Sequence, residues 1–99
     1  MIRIRRSNAF IRWHRKLPDR RAAARINARI DRLAEGNPGD VKPAGEGVSE
    51  MRIDYGPGYR VYYKDTGREI IILLCGGDKR TQDSDMAKAR RMARLYEEE

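Results

Sequence analysis

One cysteine, one histidine, one tryptophan and one phenylalanine occur among the 99 residues, and each scarcity closes off a class of chemistry. A single thiol forms no disulfide within the chain. With Cys75 and His14 far apart and no second residue of either type, the sequence offers no zinc-type ligand set. A nucleophile–His–acid triad is equally unsupported. Cys75 closes the apolar run Ile70-Ile71-Ile72-Leu73-Leu74-Cys75, which marks it as a small buried hydrophobe rather than a nucleophile. His14 falls on the apolar side of a helix, where packing is its expected duty. No apolar run approaches the roughly 18 residues that span a bilayer, and Met1-Ile2-Arg3-Ile4-Arg5-Arg6 lacks the hydrophobic region of a signal peptide. A cytoplasmic protein without a membrane partner is expected.

What the chain has in abundance is positive charge, with 22 Lys plus Arg against 15 Asp plus Glu and a net charge of +7. Such a balance points to a polyanionic partner. A soluble, highly charged surface is the plainer account, but arginine predominates, and its planar fork suits phosphate. At this length one domain, residues 1–99, is the expectation.

Residues Ile2 to Arg6 alternate apolar and basic, the period of a short edge strand. Ser7 can cap a helix with Phe10, Trp13, His14 and Leu17 along one face, stopped by Pro18. Asp19 can cap a second helix, whose Ile26, Ile30 and Leu33 form an apolar stripe beside Ala22 and Ala23. Gly36-Asn37-Pro38-Gly39 ends it. Along this helix Arg21, Arg25, Arg29 and Arg32 form a second, basic stripe, suited either to phosphates or to solvent. Gly36 to Gly47 reads as a loop carrying Lys42.

Beyond the loop the period changes to two, and three strands are drawn as Ser49–Tyr55, Tyr59–Lys64 and Glu69–Cys75. Pairing Tyr55 with Tyr59 sets Met51, Ile53, Tyr55, Tyr59, Val61 and Tyr63 on one face. The other face then holds Glu50 opposite Lys64, Asp54 opposite Arg60 and Arg52 opposite Tyr62. Closing the next turn at Asp65 and Arg68 brings Ile70, Ile72 and Leu74 to the apolar face, with Ile71 and Leu73 opposite. The last strand is therefore expected to be central and partly covered on both sides. A final helix presents Met86, Ala89, Ala93 and Tyr96 inward, capped by Ser84 or a neighbouring Asp, and Glu97-Glu98-Glu99 opposes its macrodipole, predicting a frayed end. The order gives an α+β fold, a small antiparallel meander with two N-terminal helices on one face and a C-terminal helix.

The residues left for chemistry are Arg, Lys and Tyr. Arg52, Arg60 and Tyr62 project from the open sheet face, and Lys79 and Arg80 follow the neighbouring strand. Fixed cations of this kind suit a phosphodiester, whose transition state gains negative charge. A metal-free nuclease also needs a proton acceptor for the 2′-OH and a donor for the leaving oxygen, for which Tyr62, Lys79 or Asp83 are available. Sheet packing for Tyr62, and a cross-strand ion pair for Asp54 with Arg60, stand beside those roles. Gly76-Gly77 with Lys79 lacks the spacing of a phosphate-binding loop.

The element order, Trp13, the loop Gly36-Asn37-Pro38-Gly39-Asp40-Val41-Lys42, the stretch Gly56-Pro57-Gly58-Tyr59-Arg60-Val61-Tyr62-Tyr63 and the segment Leu74-Cys75-Gly76-Gly77-Asp78-Lys79-Arg80-Thr81-Gln82 resemble toxins of the RelE/ParE superfamily. The HigB-like addiction-module killer proteins are the branch most resembled. This resemblance implies the toxin of a type II toxin–antitoxin module, an mRNA endonuclease that needs the ribosome and neither metal nor cofactor. It also implies a helix-turn-helix antitoxin encoded beside it. By position, Arg60 matches the family arginine that contacts the cleaved phosphate, and Arg80 or Lys79 matches the arginine after the last strand. Arg52 lies near basic residues of the preceding strand. From the residue pattern alone, Tyr62 joins the catalytic candidates, and Arg21, Arg25, Arg29, Arg32 and Lys42 are the RNA-binding ones. Met86 stands where RelE carries a catalytic tyrosine. ParE-like members, which share the fold, instead inhibit DNA gyrase by binding it.

Overall fold

The computed structural model describes residues 2–96. Arg3–Arg6 forms β1, Asn8–Arg15 α1, Arg20–Ala34 α2, Val41–Gly45 β2, Val48–Ile53 β3, Tyr59–Asp65 β4 and Ile70–Asp78 β5. A 3₁₀ turn at Lys79–Thr81 leads into α3, Gln82–Tyr96. The strands form one sheet in the order β1-β5-β4-β3-β2, in which β1 runs parallel to β5 and the other pairs are antiparallel. The fold is α+β.

The N-caps act as the sequence predicts. Ser7 Oγ accepts from Phe10 N at 3.0 Å and also donates to the Leu74 carbonyl, so one hydroxyl both starts α1 and fastens it to β5. Asp19 accepts from Arg21 N and Ala22 N to start α2. Both helices then press their apolar faces on the same side of the sheet, where Phe10, Ala22, Ile26, Ile30 and Leu33 meet Met51, Ile53, Tyr59, Val61, Tyr63, Ile71 and Leu73. Each fully buried aliphatic side chain contributes roughly 1.5–3 kcal/mol.

On the other side α3 lays Ala89 and Ala93 on Val48, Tyr62, Ile72, Leu74 and Cys75, with Met86, Met92 and Tyr96 at the margins. The sheet face expected to be open is therefore covered. Tyr62, at 0% exposure, lies beneath the helix instead of projecting toward a ligand. Cys75 is buried there too, and burial, reinforced by Asp85, pushes its thiol up to about 11. It packs as a hydrophobe.

Four local expectations are corrected. The segment Val41–Gly45, expected as loop, is an edge strand, and Pro43 is tolerated because an edge leaves one set of backbone donors unused. The β3–β4 pairing joins Ile53 to Tyr59 and Arg52 to Arg60, so Asp54 falls outside the ladder and does not face Arg60. The connection is wider than expected because Tyr55 N bonds Ile53 O and Gly58 N bonds Tyr55 O, with Gly56 and Gly58 both at positive φ. The shift is even, so the faces survive.

The β4–β5 turn differs by an odd number. Asp65 pairs with Ile71 in place of Arg68, which moves Ile71 and Leu73 onto the side of α1 and α2 and Ile72 and Leu74 under α3. Glu69 at φ 61° and bonds from Thr66 N and Oγ1 to the Ile70 carbonyl build that longer turn. A bulge opposite Tyr62 and Tyr63 then leaves Leu74 unpaired, which is why Leu74 and Cys75, adjacent in sequence, enter the same core. Finally, α3 begins at Gln82, so Ser84 lies inside it, and Asp78 caps the 3₁₀ turn before it, accepting from Arg80 N in a reciprocal box with Thr81. The expected fraying at Glu97–Glu99 lies outside the described residues.

Candidate functional site

The bulge and the capped turn deliver β5 to one end of the sheet, where the predicted basic residues gather. Arg60 pairs across the sheet with Arg52 on one side and Gly77 on the other. Its side chain is only 11% exposed. One amino group, Nη1, donates to the Gly58 carbonyl at 2.8 Å, and Nε lies 3.5 Å from Glu50 Oε2. At that separation the contact is an ion pair without hydrogen-bond geometry, and Nε has no hydrogen-bond partner.

Arg52, half-buried, grips Asp40 through Nε at 3.3 Å and Nη2 at 2.8 Å. The pair holds the Asp40 carboxyl below its ordinary value, chiefly through that hydrogen bond. Asp40, Arg52, Asp54, Gly58, Tyr59 and Arg60 line a concavity of about 230 Å³. Lys79 approaches the same corner from the turn. A methyl group built on Gly58 would lie 3.4 Å from Arg60 Nη1 and 3.8 Å from Lys79 Cβ, so Gly58 marks where the two meet. Arg80 is 81% exposed and bonded to Asp78, whose carboxyl it holds low. Lys79, Arg80, Gln82 and Asp83 line a second concavity of about 340 Å³.

These arginines differ in how readily they can be recruited. Arg52 and Arg80 sit in pairs open to solvent, which water and salt weaken, so their carboxylates hold them loosely. Arg60 is held in place. Tyr62 stands outside the corner's surface, its hydroxyl donating to Glu50 Oε2 at 2.9 Å. Burial and the Glu50 carboxylate both raise its pKa. Met86 packs against the core beneath α3.

The basic stripe on α2 is divided. Arg21 and Arg32 are exposed, and Arg25 is exposed with its guanidinium 4.7 Å above the Tyr55 ring. Arg29 turns inward to the carbonyls of Arg52, Pro38 and Asp40. It is a structural clamp. Lys42 is exposed on β2, opposite Glu50 in the register.

Two residues of the corner escape a sequence reading. Glu50 is 3% exposed, and Gln82 donates to it at 3.0 Å. The period of β3 placed Glu50 on the face of Arg52, but the register that sets it opposite Tyr62 depends on the wide turn. The pair Gly76-Gly77 has a packing explanation: a methyl group on Gly76 would lie 2.3 Å from the Trp13 ring, and one on Gly77 would strike the Asp85 carboxylate. Among the described residues no group of three or more His, Cys, Asp or Glu is arranged to hold a metal, and no helix is long and apolar enough to cross a membrane.

A five-stranded sheet with two N-terminal helices on one side, a C-terminal helix on the other and a cationic corner at the end of β5 defines the architecture. Comparison with known families matches residues 12–97 to the family described as phage derived protein Gp49-like (DUF891). The chain belongs to this family, which is of the toxin-like RelE type. An uncharacterized protein of Haemophilus influenzae is 51% identical over 92 residues, covering 93% of each chain.

Proposed function

We propose that the chain is the toxin of a type II toxin–antitoxin module, of the HigB-like kind, and that it cleaves mRNA on the ribosome without a metal or cofactor. The observation that carries this reading is the meeting of Arg60 with the Lys79–Arg80 turn at Gly58. Together they make a cationic clamp for one phosphodiester. In this reading Arg60 and Arg80 stabilise the negative charge that grows on the phosphate oxygens as the 2′-OH attacks. Arg52 and Lys42 hold flanking phosphates, and exposed Arg21, Arg25 and Arg32 extend the track along α2. Asp83 accepts the 2′-OH proton and Lys79 supplies one to the departing 5′-oxygen, a division supported by the concavity they share. The partners are translating ribosomes, which sets the action in the cytoplasm, and a helix-turn-helix antitoxin from the adjacent gene.

The test is cleavage of mRNA on translating ribosomes, with ribosome association measured in parallel. Arg60→Ala and Arg80→Ala should lower the cleavage rate by on the order of a hundredfold while changing association little. Variants that cleave at the wild-type rate would remove both residues from the site. A second reading is favoured because the Tyr62 phenol is buried on Glu50 and Met86, only partly buried, has no phenol to offer. There the chain inhibits DNA gyrase by binding, and wild-type protein leaves mRNA intact while supercoiling stops.

A further inference from the structure

Glu50 is a carboxylate that the proposed chemistry does not use, yet it is 3% exposed and sits behind the corner. Burying such a group costs free energy unless it is paired and hydrogen-bonded. One of its oxygens, Oε2, meets the Tyr62 hydroxyl at 2.9 Å, Gln82 Nε2 at 3.0 Å and Arg60 Nε at 3.5 Å. Those partners come from different elements. Tyr62 and Arg60 stand on β4, while Gln82 opens α3 directly after the Lys79–Thr81 turn. A single oxygen thus joins the arginine on the sheet to the turn that carries the other two cations. It also answers a repulsion, because Arg52 and Arg60 face each other across β3 and β4 and like charges there oppose pairing.

We infer that Glu50 is the positioning residue of the cationic corner, fixing the Arg60 guanidinium and its separation from the Lys79–Arg80 turn so that both meet one phosphate. The inference rests on the nuclease reading. Glu50 touches no substrate and acts through Arg60. A carboxylate that only satisfies the core would stabilise the fold without setting the rate. The expected signature is therefore kinetic.

Glu50→Gln keeps the shape and the hydrogen bonds but removes the charge that orients Arg60. Cleavage on ribosomes should fall on the order of tenfold to a hundredfold, the scale of a misplaced catalytic group, with half-saturation by ribosomes changed less than about threefold. The effect should vanish in an Arg60→Ala background, because Glu50 has then lost the group it acts through. Equal losses in both backgrounds, or a wild-type rate in Glu50→Gln, overturn the proposal. Should Glu50→Gln fail to fold, Gln82→Ala removes one donor from the same oxygen and should lower the rate in the same Arg60-dependent way. Independence from Arg60 overturns it there too. Should wild-type protein leave mRNA intact, the nuclease reading fails by itself, and the Arg60 Nε–H resonance judges the positioning. A sharp, slowly exchanging signal in wild type that broadens in Glu50→Gln supports it; an unchanged signal overturns it.

Discussion

Arg29, on α2, donates from Nη1 to the main-chain carbonyl of Arg52 on β3 at 2.6 Å. Its other amino group reaches the carbonyls of Pro38 and Asp40, so one guanidinium fastens the helix to the loop that holds Asp40 against Arg52. Arg29→Ala leaves three carbonyls without that donor. A hydrogen bond to a charged group is worth roughly 1.5–3 kcal/mol, and exposure of part of this cluster places the expected loss near the lower end, about 2 kcal/mol. Urea denaturation checks it, and an unchanged midpoint would show that water replaces the clamp.

Arg21 and Arg32 belong to the same sequence stripe but lie exposed, and the prediction for them is different. Replacing both with Gln should leave stability within about 0.5 kcal/mol. If they contact phosphates, the logarithmic salt slope of ribosome or RNA binding should become shallower by roughly one unit for each residue. An unchanged slope assigns them to solvent.

Trp13 lies over Gly76 so closely that an added methyl would stand 2.3 Å from its ring. Gly76→Ala must therefore push α1 away from β5, a cost of about 1–3 kcal/mol for an overpacked core. A smaller side chain makes room. Trp13→Leu destabilises by itself, yet combined with Gly76→Ala it should cost less than the two single changes added together. Additive losses, measured in thermal or urea unfolding, would contradict the contact.

The elements that carry strong local signals were legible in the sequence. Ser7 and Asp19 announce their helices through capping chemistry, and Ala89 and Ala93 mark the inner side of α3 by spacing alone. Turn length was not legible, because it is set by hydrogen bonds such as Thr66 to Ile70 that no periodicity encodes. An even error in the first turn left Met51, Ile53, Val61 and Tyr63 on the right face, while an odd one reversed Ile70 to Leu74. The site followed the same rule. Arg52, Arg60, Lys79 and Arg80 were visible as a basic set, but Tyr62 was expected in the open because nothing local states that α3 covers its face. Glu50 acquires its partners only through tertiary register.

Acid sensitivity follows from Asp19, whose carboxylate caps α2 through Arg21 N and Ala22 N and accepts the Tyr55 hydroxyl at 2.8 Å. The Tyr55 hydrogen bond is the main reason its pKa is lowered in the folded chain, with the two backbone donors adding to it. Asp40 and Asp78 are lowered as well, by hydrogen bonds from Arg52 and Arg80. A carboxylate of lower pKa in the folded state binds fewer protons than its unfolded counterpart, so the stability it lends is complete above the unfolded value near pH 4. As pH falls through the folded values, that contribution disappears. The urea midpoint should therefore stay level from about pH 7 to 5 and drop steadily from about pH 4 to 2. Asp19→Asn isolates one share of this slope, because asparagine caps a helix about as well as aspartate and still accepts the Tyr55 hydroxyl. The variant should unfold close to wild type at neutral pH and lose less stability in acid. A slope as steep as that of wild type would assign the acid sensitivity to Asp40, Asp78 or other carboxylates.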